Sequence, residues 1–216
     1  RDSLGSEQVI RPGQVNLMTA GRGIAHTEES LAGYPDLHAA QLWIALPERD
    51  QETQPRFDHY PLLPSWQESE TNLTLLIGDH AGRQAPTLSF SPILGLDLHS
   101  PHGGHIVLPL DPAFEHGLFP LQGEATIAGE ALAPEQLLYL PPGTRALKVA
   151  LGPDTRLLLI GGEPLAKPLQ IWWNFVSFSP EAIRTAAADW ESGHPRFGEV
   201  KGYPGPRLKA PPLAGL

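Results

Sequence analysis

The residues whose types and spacing could do chemistry are His26 and Glu28, an imidazole and a carboxylate one residue apart in 18-MTAGRGIAHTEES-30. On an extended strand, positions i and i+2 project to the same face, about 7 Å apart along the chain. From there both side chains can converge on one cation. This donor set suits iron, manganese, nickel or zinc better than calcium, and His plus carboxylate with open positions is the usual signature of non-haem Fe(II). Gly21 and Gly23 give the preceding backbone the freedom to turn tightly into such a strand. Spacing alone does not make the pair a site. With nine histidines and fifteen glutamates in the chain, about 0.6 His-x-Glu pairs arise by chance, so a hydrogen-bonded core histidine beside a surface acid stays open as the alternative.

A rival metal group is His99, His102 and His105 in 98-LHSPHGGHIV-107. Three imidazoles at spacing three could chelate, but the Pro and two Gly read as a polar turn between strands, with no carboxylate near in sequence. His116, in 114-FEHGLFPLQGEATIAGE-130, reads as structural. His38, His59, His80 and His194 sit in no motif. Trp172 and Trp173 form a large aromatic pair that reads as the docking surface of a C-terminal extension. The chain has no Gly-x-Ser-x-Gly elbow and no phosphate loop ending in Lys-Ser/Thr.

The elements that must position these groups are mainly short strands. Pro (24) and Gly (22) together exceed a fifth of the chain and punctuate short apolar runs. Segment 7-EQVIRPGQVNLMTAG-21 reads as strand, Pro-Gly turn, strand and Gly turn. Strands are also expected at 38-HAAQLWIALP-47, 73-LTLLIG-78 and 105-HIVLPL-110. The polar, proline-bounded stretch 47–64 reads as a long surface connection. One helix is expected, about 180–192. Ser179 is its N-cap, Pro180 its first residue, Glu181 complements the dipole, and Gly193 ends it. Ile183, Ala186, Ala187 and Trp190 form an apolar stripe that should dock on a barrel, with 202–216 as an extended, irregular tail.

The sequence also repeats itself. Residues 10-IRPGQVNLMTAGRGIAHTE-28 set over 132-LAPEQLLYLPPGTRALKVA-150 align Pro12 with Pro134, Gln14 with Gln136 and Gly21 with Gly143. Two related β units explain this most simply. In that register His26 falls on Lys148 and Glu28 on Ala150, so a metal site in the first copy has no counterpart in the second.

Composition narrows the function classes. The chain of 216 residues has no cysteine, which excludes disulfides, thiolate metal sites and cysteine nucleophiles and fits a reducing compartment. Net charge is −9 and the 15 Lys and Arg are scattered, so direct nucleic-acid binding lacks its electrostatic source. No apolar run approaches a bilayer span. A cytoplasmic protein without membrane contact is expected. The chain opens on Arg1 and its only methionine is Met18, so the natural N-terminus is expected upstream.

The blocks 1-RDSLGS-6, 11-RPGQVNLMTAGRGIAHTE-28, 41-QLWIALPERDQETQPRF-57 and 161-GGEPLAKPLQIWWNFVSFSPEAI-183 resemble the pirin family of bicupin proteins over nearly the whole chain. The resemblance implies an all-β fold of two cupin barrels, the first incomplete, plus a C-terminal helix and extended tail. The implied division is 1–85, 86–165 and 166–216. It further implies a divalent metal in the first cupin, iron foremost with Mn, Ni, Zn or Cu as alternatives, held by three histidines and one glutamate. His26 and Glu28 match the last two ligands, and the other two histidines belong to a His-Pro-His motif expected upstream of Arg1. The second cupin is expected to lack metal ligands. By the same resemblance the function is that of a quercetin 2,3-dioxygenase acting on a flavonol, with Glu28 both ligating the metal and taking the substrate hydroxyl proton. The alternative is a metal- or redox-responsive regulator that acts through a protein partner.

Overall fold

Alternation of apolar and polar residues, broken by glycine and proline turns, produces short strands wherever a neighbouring edge is free to pair. The computed structural model describes residues 1–34 and 36–213. Its strands are β1 (Val15–Thr19), β2 (Arg56–Tyr60), β3 (Ser65–Glu68), β4 (Thr71–Ile77), β5 (Asp79–His80), β6 (Arg83–Gln84) and β7 (Ile93–Pro109). They continue with β8 (Glu115–Gln122), β9 (Ala125–Ile127), β10 (Glu130–Leu132), β11 (Leu138–Leu140), β12 (Ala146–Gly162), β13 (Gln170–Trp172) and β14 (Phe175–Ser177), followed by the helix α1 (Pro180–Ser192). Among the described residues no helix is long and apolar enough to cross a membrane. The chain divides into two compact units, one of residues 1–11, 16–59 and 165–216, the other of residues 12–15 and 60–164.

The second unit is organised by β7 and β12, antiparallel partners from Ile93 opposite Gly162 to Pro109 opposite Ala146. Each long strand also pairs beyond the other. β12 pairs β9 through Val149–Leu151 and β8 through Arg156–Gly162, while β4 pairs the first half of β7. The sheet therefore folds over on itself as a cupin-type barrel. Along β4 the residues Thr71, Leu73, Leu75 and Ile77 are buried in strict alternation, as a half-buried strand requires. Leu96, Leu98, Leu118, Leu157 and Leu159 are fully buried in the core, each worth about 1.5–3 kcal/mol of removed apolar surface. A fork of two hydrogen bonds joins Arg156 to the buried Asp97, at 2.9 Å from Nε and 2.7 Å from Nη2.

The first unit holds the β1–β2 sheet, the β13–β14 hairpin and α1. The helix begins as its sequence indicates: Ser179 Oγ accepts from Ala182 N, Pro180 is its first residue, and Gly193 closes it in the left-handed region. Ile183 and Ala187 are its buried residues, and it packs on the β13–β14 hairpin. Trp172, Trp173, Phe175, Trp190 and Phe197 form one aromatic cluster with ring centroids 5.3–6.3 Å apart. All five rings lie within 166–216, so the Trp172–Trp173 pair joins parts of the C-terminal extension to one another. The tail is extended and tied to the helix, since Leu208 O accepts from Trp190 Nε1 at 2.9 Å and Glu191 Oε1 accepts from Ala210 N at 2.9 Å. Its last residues, 214–216, lie outside the described residues.

Four local expectations change. Of the two strands read in 7–21 only the second forms, as β1. Residues 38–47 form no strand, because among the described residues no edge pairs with them, and Leu42, Trp43 and Ile44 are exposed. The stretch 47–64 is not a featureless connection: a 3-10 turn at Glu48–Asp50 leads into β2, which pairs with β1. The segment 98–107 is not a turn but the middle of β7, where the ladder with β12 overrides the local preference of Pro101, Gly103 and Gly104.

Candidate metal centre

His26 and Glu28 are delivered by the turn that follows β1. Gly21 takes φ +49° there, and a Cβ on it would collide with the Thr53 carbonyl, which accepts a hydrogen bond from Arg22 N at 3.1 Å. Gly23, at φ +143°, brings the backbone against the C-terminal extension, where an added Cβ would lie 3.2 Å from Arg196 O. Arg196 Nη1 donates to Arg22 O at 2.8 Å and secures the turn from behind.

Beyond the turn, the first residues of the chain clasp the segment. Ser3 N donates to Ala25 O and Thr27 N to Arg1 O, both at 2.8 Å, which makes Asp2 and His26 an antiparallel bridge. Only this bridge forms, in place of a full strand, yet exposure still alternates: Ala25 and Thr27 are half-buried, His26 and Glu28 exposed. The two candidate ligands therefore share one side of the backbone. Glu28 Oε1 accepts a long hydrogen bond from Gln41 Nε2 at 3.4 Å. Asp2, 4% exposed, caps its own turn by accepting from Leu4 N and Ser6 N through Oδ1, while its Oδ2 is buried without a partner.

The internal repeat is visible in the backbone. Gly13 and Glu135 occupy matching turns at φ +76° and +71°, and β1 corresponds to β11. In the second copy Lys148 and Ala150 lie on β12, opposite Val107 and His105, with Leu147 and Val149 turned into the core. His26 and Glu28 thus occupy the alternation that in the second copy faces away from the core.

The donor chemistry of His26 and Glu28, an imidazole and a carboxylate on one side of the backbone, suits a divalent cation. Among the described residues no group of three or more His, Asp or Glu converges closely enough to hold a metal ion. That includes His99, His102 and His105. They lie apart along β7, and His99 instead faces Asp154 at 3.5 Å. His59 shares a 2.8 Å hydrogen bond with Asn16, and His194 Nδ1 accepts from Arg196 N at 3.2 Å. His116 is 2% exposed, among the described residues neither of its ring nitrogens is bonded, and burial pushes its pKa down.

The model of the pirin C-terminal cupin domain matches residues 95–198, and the pirin model matches residues 1–44. A Pseudomonas aeruginosa protein named as a candidate quercetin 2,3-dioxygenase is 53% identical over 213 residues, covering 99% of this chain and 68% of its own length. The chain belongs to the pirin family. A pirin-like protein of Caulobacter vibrioides is 33% identical over 206 residues, covering 93% of this pirin and 70% of its own length. A crystal structure of quercetin 2,3-dioxygenase from Acinetobacter baumannii superposes with a TM-score of 0.94 at 40% identity, covering all of this pirin and 72% of that chain.

Proposed function

We propose that this pirin is a metal-dependent oxygenase of a flavonol-type substrate, with His26 and Glu28 supplying two of the metal's ligands. The observation that carries the reading is the close structural likeness to a protein described as quercetin 2,3-dioxygenase. Iron is the expected metal, and the remaining ligands are the two histidines that the pirin resemblance places ahead of Arg1. A bound metal would supply Lewis acidity toward the substrate hydroxyl and a redox centre for O2.

The chain's own residues do the rest. His26 holds its ring in place through a backbone pinned at Arg1, Asp2 and Ser3. The Gln41 amide steers Glu28 through Oε1, which leaves the other carboxylate oxygen to take the proton of the flavonol hydroxyl. Both side chains are exposed, so a planar substrate can approach them.

The test incubates iron-loaded protein that includes the segment preceding Arg1 with quercetin and O2 and follows loss of flavonol absorbance. Turnover that disappears in Glu28→Gln supports the assignment. No flavonol loss, together with metal-dependent capture of a protein partner, would sink the enzyme reading in favour of a regulator. Residues 1–216 alone are expected to bind Fe(II) more weakly than about 1 μM by calorimetry, because two donors are on hand. Tighter binding would overturn the four-ligand assignment.

A further inference from the structure

The second unit contains a cavity of about 340 Å³ at one end of its barrel, where β5, both ends of β7 and the end of β12 meet. Its volume lies in the range that holds small organic ligands. Backbone contacts fix its walls. Gly78, at φ +82°, lies so close to the Ile93 carbonyl that no Cβ fits, and its own carbonyl accepts from Ala85 N at 2.9 Å, which anchors the β5–β6 hairpin. Glu163 N donates to Pro92 O at 3.3 Å and Phe114 N to Asp111 O at 3.1 Å.

His80 lines this cavity and is 8% exposed. Its ring stacks on Trp66 at 6.2 Å, and Trp66 in turn carries the Arg83 guanidinium 4.3 Å from its ring centroid. Among the described residues the imidazole makes no hydrogen bond, which leaves its nitrogens free to bond a ligand. Burial lowers its pKa, so near neutral pH it offers one donor and one acceptor nitrogen.

The rest of the lining adds a direction. Asp79, Asp111 and Glu163 line the cavity and are exposed, and among the described residues no Lys or Arg lines it. Asp111 uses Oδ1 to accept from Ala113 N at 2.9 Å, whereas Asp79 and Glu163 form no ion pair among the described residues. Ile93, Leu94, Pro109 and Phe114 supply apolar surface. Negative charge at the rim, apolar walls and an unpartnered hydrogen-bonding ring buried behind them describe a ligand with a cationic end, an apolar body and a polar far end.

We propose that this cavity binds a small organic amine, its ammonium held by the rim carboxylates and its far end hydrogen-bonded to His80, at a site that uses neither His26 nor Glu28. Tyramine is a suitable probe because it has all three parts. 4-Ethylphenol lacks the ammonium and phenethylamine lacks the hydroxyl. Titrations by NMR and calorimetry on residues 1–216 are expected to show millimolar or tighter tyramine binding, with shifts at Gly78, His80 and Ile93. Each analogue should bind about fivefold more weakly or worse, and the Asp79→Asn/Glu163→Gln variant should lose about fivefold for tyramine and nothing for 4-ethylphenol. Both substituted side chains are exposed, so circular dichroism should stay unchanged. Absence of binding up to about 10 mM, equal affinities for the three probes, an unaffected double variant, or shifts confined to the first unit would overturn the proposal.

Discussion

Replacing Gly21 by alanine tests whether the turn after β1 is what delivers His26 and Glu28. At φ +49° an alanine costs about 1–2 kcal/mol in backbone conformation alone. Its Cβ would also displace the Thr53 carbonyl, breaking the 3.1 Å hydrogen bond from Arg22 N, worth about 0.5–1.5 kcal/mol, and forcing a backbone shift of about 1–3 kcal/mol. Gly5→Ala is the control. It lies in the same clasp at φ +95°, but nothing stands within 4 Å of the added Cβ, so it bears the conformational term only. The expected excess for Gly21→Ala is about 2–4 kcal/mol, which is a thirtyfold or greater acceleration of amide exchange across residues 21–28 relative to the control. Exchange rates that agree between the two variants to within about 0.5 kcal/mol would refute the steric account of this turn.

Two further outcomes follow from the second unit. Burial holds the pKa of His80 and of His116 below the ordinary value of 6.5, so below that pH the unfolded chain takes up protons that the folded one refuses, and stability falls as pH drops. Urea unfolding is expected to lose at most about 1.4 kcal/mol per histidine between pH 6.5 and 5.5, and His116→Leu should flatten the profile; an unchanged slope in that variant would exclude His116 as a source. Arg156→Ala leaves Asp97 charged, buried and unpaired, and should destabilise the barrel by about 3 kcal/mol, whereas a loss below about 1 kcal/mol would mean that water replaces the guanidinium.

What could be read in advance was what depends on neighbouring residues. The helix was legible because Ser179, Pro180 and Gly193 act within a few residues of it, and the turn at Gly21 because a glycine pair announces positive φ. Residues 38–47 carry the same β-forming composition as β4, but composition cannot report whether a second edge is present to pair with. The run from His99 to His105 shows the reverse, a turn-like composition kept in a ladder by a long partner strand. At the candidate metal centre, the side shared by His26 and Glu28 followed from their spacing, while their exposure did not. The cavity around His80 was invisible to motif reading, since its walls come from residues as distant as Gly78 and Glu163.

The placement of the five tryptophans gives each unit its own optical reporter. Trp172, Trp173 and Trp190 sit edge to face in one cluster of the first unit, where Trp43 is also found, and the second unit has Trp66 alone, sandwiched between His80 and Arg83. Aromatic rings coupled this closely generate near-ultraviolet circular dichroism that vanishes when their packing loosens. Trp66 fluorescence, by contrast, responds to the charge state of the imidazole stacked on it. A single Trp66→Phe change therefore makes all remaining tryptophan emission a readout of the first unit, so that the melting of the two halves can be followed separately in one cuvette.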